Sequence, residues 1–138
     1  MEIREKVALV TGAGSGIGRA VARRFAYEGA AVVVADMDED AGSSAVREIH
    51  SEGGQAAFVV ADVASEADVS WMVAFAEEEF GGLDVLVNNA GGVAEPYFPE
   101  SEPEHWGRAI DLNLRGVMCL SGLGGHPGFP TQSRPGDT

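Results

Sequence analysis

Eight residues, Thr11-Gly12-Ala13-Gly14-Ser15-Gly16-Ile17-Gly18, follow the apolar run Val7-Ala8-Leu9-Val10 and open a helical pattern. A strand that turns through glycines into a helix N-terminus is how α/β proteins hold a phosphate, so this stretch restricts the fold more than any other. Glycine tolerates positive φ, and without a Cβ it lets backbone N–H groups come close to a pyrophosphate. Gly12, Gly16 and Gly18 give G-x-x-x-G-x-G with Gly14 inserted, which differs from the G-x-G-x-x-G dinucleotide fingerprint. No G-x-x-x-x-G-K-[ST] occurs, which excludes a P-loop. On the octet alone, an ordinary turn between strand and helix remains open.

Composition narrows the function classes. A chain of 138 residues suits one domain. The net charge of −13 argues against nucleic acid, because phosphate binding needs clustered cations and the cations here are few and scattered. Cys119 stands alone, so no internal disulfide can form, and no His/Cys spacing suggests a metal. A reducing, cytoplasmic setting is the expectation. No apolar run approaches the roughly 20 residues of a membrane helix, and Met1 to Lys6 lacks a signal-peptide pattern, so a soluble protein is expected. Lys6 is the only lysine.

Taken in order, the apolar run from Lys6 to Val10 reads as a buried parallel strand. The following helix places Ile17, Val21 and Phe25 on one face and ends at Gly29. Ala30 to Ala35 is a second strand, stopped by Asp36, eighteen residues beyond Gly18. In a dinucleotide site a carboxylate there accepts hydrogen bonds from the adenosine ribose and repels a 2′-phosphate, which favours NAD over NADP; a solvated strand-end carboxylate is the plainer reading. A polar helix from Asp38 to Gly54 carries Ala41, Ala45 and Ile49 on one side, and Gln55 to Ala61 is a third strand. Asp62 suits either an adenine edge or a turn cap. Ser65 and Asp68 form a capping-box pattern before a helix with the stripe Val69, Val73, Ala76 and Phe80, beside an aromatic row of Trp71 and Phe75. Leu83 to Val87 is the fourth strand, leading into Asn88-Asn89-Ala90-Gly91.

This alternation predicts a three-layer, doubly wound parallel sheet of the Rossmann type, with ligand residues at the strands' C-terminal rim. A proline-punctuated acidic loop holding Tyr97 precedes a helix from Glu104 with Trp106, Ile110, Asn113 and Val117 on one face. Residues 121–138 hold five glycines and three prolines and no periodicity, so the expected division is a nucleotide-binding unit over 1–120 and a disordered tail over 121–138.

Thr11-Gly12-x-x-x-Gly16-x-Gly18, Asp36, Asp62-Val63, Asn88-Asn89-Ala90-Gly91 and Asn113 together resemble the short-chain dehydrogenase/reductase superfamily, in its order and at its intervals. The resemblance implies a cofactor set of Thr11, Gly12, Gly14, Ser15, Gly16, Ile17, Gly18, Asp36, Asp62, Val63, Asn89, Ala90 and Gly91. Gly12, Gly16 and Gly18 would wrap the pyrophosphate, Asp36 would select NAD, Asp62 and Val63 would face the adenine, and Asn88 to Gly91 would line the nicotinamide ribose. Asn113 is the one catalytic candidate, as the family's asparagine distorts its helix and orders a water in a proton relay.

The family also needs a serine and a Tyr-x-x-x-Lys pair, in which the lysine and the nicotinamide lower the tyrosine pKa and the serine polarises the carbonyl. Here no lysine follows Lys6, and Tyr27 and Tyr97 are followed at four residues by Ala31 and Ser101. Glu95 and Glu100 would raise rather than lower the pKa of Tyr97. The chain therefore reads as a cofactor-binding first half, four strands of a larger sheet, joined to an unrelated tail. A frame shift near residues 118–122, or an alternative 3′ end, is the expectation; finding no Ser and Tyr-x-x-x-Lys in the gene's other frames would reject it. Loss of a neighbour beside the fourth strand would expose an edge of Leu83, Val85 and Val87, and the helix from Glu104 packs against a partner subunit in the family, so self-association is expected. Two functions follow: an NAD-dependent oxidoreductase acting on a secondary alcohol or carbonyl, and a non-catalytic dinucleotide-binding remnant or module completed by a partner chain. A methyltransferase also uses a glycine turn and a strand-end carboxylate, but Asn88-Asn89-Ala90-Gly91 speaks against it.

Overall fold

A computed structural model describes residues 2–91 and 102–124. Strands and helices alternate as β1 (Val7–Thr11), α1 (Gly16–Tyr27), β2 (Ala31–Asp36), α2 (Glu39–Ser51), β3 (Gln55–Val60), α3 (Glu66–Phe80) and β4 (Val85–Val87). Every strand pair is parallel, in the order β3-β2-β1-β4. The doubly wound sheet is thus the one the alternation predicts. After the first three strands the chain crosses back over β1 to lay down β4, so a switch point lies between the ends of β1 and β4.

Strands β1 and β2 are buried on both faces, β3 and β4 only in part, and the side chains sort by the strand period of two. Leu9, Val33 and Val59 point into a core closed by Val69, Met72, Val73 and Ala76 of α3 and by Leu120. Val10, Val32 and Val34 point into the opposite core, closed by Ala22 and Ala26 of α1 and Ala45 and Ile49 of α2. Each fully buried Val or Leu contributes about 1.5–3 kcal/mol of transfer free energy. Arg19 and Arg23 pair with Glu48, and Arg23 with Glu52 at 2.5 Å, tying α1 to α2 across their outer surfaces.

Two expected stripes shift. In α1 the buried residues are Gly18, Ala22 and Ala26, while Ile17 is 77% exposed and Val21 and Phe25 only flank the core. Small residues let this helix lie close on the sheet, and Ile17, in the first turn, projects past it. Leu83 is buried in the core under α3 and is not part of an edge. Just before β4, Asp84 accepts from Val7 N at 2.8 Å through its carboxylate and donates its own N–H to Val7 O at 2.8 Å, so the strand proper begins at Val85. Among the described residues β4 pairs with β1 alone.

The segment expected as one helix from Glu104 is broken into pieces. A 3-10 turn (Pro103–His105) leads to α4 (Gly107–Ile110), a π turn (Asp111–Arg115) and α5 (Gly116–Gly124). Gly116 N donates to Asp111 O, five residues back, and this extra residue rotates everything after it. The buried positions become Gly116 and Leu120, while Trp106, Ile110, Leu114 and Met118 form an exposed apolar row at four-residue spacing. Helix α5 also runs past residue 120, across the expected domain boundary. Tyr97 with its acidic loop, and residues 125–138, lie outside the described residues. No described helix is long and apolar enough to cross a membrane.

Gly116 seats α5 on the loop after β3, since a Cβ there would lie 2.5 Å from Val63 O. Gly116→Ala is expected to destabilise the protein by about 1–3 kcal/mol in urea unfolding, against the usual helix preference for alanine. At Gly122 a Cβ meets nothing within 4 Å, so Gly122→Ala should be neutral or stabilising by up to about 1 kcal/mol. A stable Gly116→Ala protein would contradict this seating.

Candidate functional site

Between β1 and α1 the glycines answer two separate demands. Gly12 and Gly16 have φ of 64° and 55°, a region where side chains are strained. Gly14 and Gly18 supply space instead. A Cβ on Gly14 would sit 2.8 Å from Asp36 Oδ2, and one on Gly18 would sit 2.4 Å from both Gly12 O and Asn89 Nδ2. Ser15 caps α1 with extended backbone and no side-chain capping bond, and the helix carries no acid in its first turn. The first-turn N–H groups therefore lack intrahelical partners, and the positive end of the helix dipole is uncompensated by a side chain. Arg19, next to the turn, donates through Nε to Glu48 Oε2 at 2.8 Å and is thereby held toward α2. The Arg19 hydrogen bond is also the main reason the Glu48 carboxyl lies below its ordinary pKa.

Thr11 works from behind the turn. It is 1% exposed, and its Oγ1 accepts from Asn89 N at 3.1 Å and Ala90 N at 3.0 Å while donating to Val87 O at 3.4 Å. Asn89 Nδ2 returns two bonds, to Thr11 O at 3.1 Å and Gly12 O at 3.2 Å. These bonds latch the end of β4 to the end of β1 across the switch point. Thr11 was expected beside a cofactor; its hydroxyl is instead committed to holding the two residues that line the cleft. Asn88, in contrast, turns outward and donates to Ser121 Oγ at 3.1 Å.

The cleft itself has a volume of about 300 Å³ and is walled by Gly12, Ser15, Asp36, Asn89, Ala90 and Gly91 together with the apolar Ala35, Met37, Ala61, Val63 and Leu112. Asp36 stands at its side. Oδ2 accepts from Gly14 N at 2.8 Å and Oδ1 from Asp38 N at 2.9 Å. A carboxylate offers about four lone-pair sites, so roughly two remain for a ligand. Ile17 does not wall the cleft and projects into solvent.

Asp62 caps the turn that follows β3. Its Oδ1 accepts from Ala64 N at 2.9 Å, and its Oδ2 from Arg108 Nη1 at 3.1 Å. Burial would raise its carboxyl; the Ala64 N–H and the Arg108 guanidinium outweigh that and hold it below the ordinary value. The capping box at α3 is likewise shared: Ser65 Oγ accepts from Asp68 N at 3.3 Å, but Asp68 Oδ2 accepts from Asp62 N at 2.9 Å rather than from Ser65. Asn113 lies in the π turn, donates to Ala109 O at 2.9 Å, and brings its Oδ1 so close to Gly91 that a Cβ there would be 2.7 Å away. It is therefore at the Gly91 end of the cleft. Arg108, Met37 and Leu112 were not among the expected site residues. Leu112 was detectable as the neighbour of Asn113; the reach of Arg108 across 46 residues had no local signal.

Removing the Thr11 hydroxyl would leave the Asn89 and Ala90 N–H groups without their acceptor. Thr11→Val should destabilise the protein by about 2–3 kcal/mol and weaken ligand binding, whereas Thr11→Ser should retain most of both in parallel urea and ligand titrations. Equal behaviour of the two variants would remove the latch from the account.

Comparison with known proteins agrees with this geometry. The family described as short chain dehydrogenase matches residues 6–124. An uncharacterized oxidoreductase of Thermotoga maritima is 43% identical over 121 residues, covering 88% of this chain and 47% of the relative. The 2,5-dichloro-2,5-cyclohexadiene-1,4-diol dehydrogenase LinX of Sphingobium indicum is 44% identical over 113 residues, 82% of this chain and 45% of that one. A crystal structure of a short-chain dehydrogenase/reductase from Burkholderia phymatum in complex with NAD superposes with a TM-score of 0.84 at 36% identity, over 89% of this chain and 44% of that one. The chain thus spans about half the length of the relatives it matches. The match over residues 6–124, on a parallel sheet with the glycine turn, Asp36 and Asn89 at one rim, shows that this chain belongs to the short-chain dehydrogenase/reductase family.

Proposed function

We propose that the chain binds NAD at the carboxyl rim of its sheet, as the cofactor half of an oxidoreductase that passes a hydride between nicotinamide and a secondary alcohol or carbonyl. The observation that carries this is Asp36, tied to the glycine turn through Gly14 N at 2.8 Å and to Asp38 N at 2.9 Å, with acceptor capacity left beside the cleft. Its charge favours a free ribose and repels a 2′-phosphate, which supports NAD over NADP. The residues fit the group: the small residues Gly12 and Ser15 wall the cleft, and the α1 N-terminus, with no acid in its first turn, offers N–H donors to a diphosphate. When bound, the cofactor would supply the hydride acceptor. This chain's own residues would then hold the ribose through Asp36, the diphosphate through the turn, and the nicotinamide end against Asn89, Ala90 and Gly91.

Proton transfer is the part these 138 residues do not supply. Neither tyrosine is followed at four residues by lysine, and the lone lysine, Lys6, directly precedes β1. On this reading these residues form the dinucleotide-binding part, and turnover needs a Tyr-x-x-x-Lys pair that they do not contain. The exposed row of Trp106, Ile110, Leu114 and Met118, and the side of β4 that no described strand pairs, favour self-association.

Calorimetric titration should give NADH binding at least about tenfold tighter than NADPH, with no oxidation or reduction across a panel of secondary alcohols and ketones. A preference for NADPH would overturn the role of Asp36, and turnover would mean another residue carries the proton. Light scattering at micromolar concentration should show a dimer or larger species; a monodisperse monomer would remove the proposed association.

A further inference from the structure

One side chain beside the cleft lies outside the expected site. Arg108, on α4, places Nη1 3.1 Å from Asp62 Oδ2 and Nη2 3.7 Å from Met37 Sδ. Its guanidinium therefore spans the ends of β2 and β3, beside the apolar part of the cleft formed by Met37, Ala61, Val63 and Leu112. Leu112 lies four residues after Arg108, so the same short helical segment supplies both a cleft wall and the bridge.

An ion pair with side chains 48% and 29% exposed adds little to stability, so its reach across 46 residues is better accounted for by the cleft than by the fold. The neighbouring part of the cleft is apolar and adjacent to Asp36, where a ribose would be held. A planar aromatic base attached to that ribose would enter between Met37 and Val63, and a guanidinium stacks on such a ring as an ammonium cannot.

We propose that Arg108 is a specificity-determining residue for the nucleotide base: anchored by Asp62, its guanidinium plane forms the outer wall of the base slot and stacks on the purine. This rests on the dinucleotide reading above. Asp62 is then the anchor of the wall, a positioning residue, and Met37 sets how far the guanidinium can swing.

NADH fluorescence titrations and AMP competition on the wild-type chain, Arg108→Gln and Arg108→Lys test it, with thermal denaturation of each. The wall predicts about tenfold weaker NADH and AMP binding in both variants with Tm unchanged, because lysine can keep an ion pair with Asp62 but cannot stack as a plane. Binding of either variant within twofold of wild type, or tighter, overturns the proposal, as does a loss that follows a lowered Tm. Failure of the wild-type chain to bind NADH would instead overturn the dinucleotide reading itself.

Discussion

The Thr11 hydroxyl is the contact on which the site's geometry depends. Strand β4 is laid beside β1 only after the chain has crossed the sheet, and only three residues of it pair. Such a short pairing leaves the loop that follows free to choose its path. Two N–H groups on one buried hydroxyl, with the Asn89 amide bonding back to Thr11 O and Gly12 O, remove that freedom. The same bonds fix the first glycine of the turn, so the β1 and β4 ends of the cleft form as one unit.

From that latch the rest of the rim follows. Gly18 packs under Asn89 and Gly12, which sets where α1 begins, and Gly14 packs on Asp36, which sets the distance from β1 to the end of β2. At the far side the π turn rotates α5 so that Gly116 rests on Val63 O, while Asn113 meets Gly91. Glycines at these contacts are spacers: each marks a place where two backbones, or a backbone and a polar side chain, approach closer than a methyl group allows.

Much of this is legible in the sequence. The order of strands and helices, the glycine turn, the placement of Asp36 and the Ser65 cap of α3 are local properties of period, φ preference and capping, and they appear where the residues suggest. The buried stripe of α1 was misplaced because apolarity pointed to Ile17, Val21 and Phe25, whereas close packing selects small residues such as Ala22 and Ala26. Leu83 reads as an edge residue in the sequence because strand membership does not reveal which helix covers it. The π turn changes the facing of every residue after Asp111 and has no signature in hydrophobic spacing. Arg108 was invisible for a different reason: its partners, Asp62 and Met37, are distant in sequence and are brought to it only by the finished fold.

The proposed function makes the carboxyl rim of the sheet a preformed cradle, with the diphosphate placed at the glycine turn and the ribose at Asp36. Amide hydrogen exchange with and without saturating NADH tests this most directly. Slowed exchange confined to residues 12–18, 36–38, 62–64 and 89–91 is the predicted result. Unchanged exchange at these amides under saturating ligand, or protection confined to the outer surfaces of α1 and α2, would contradict it.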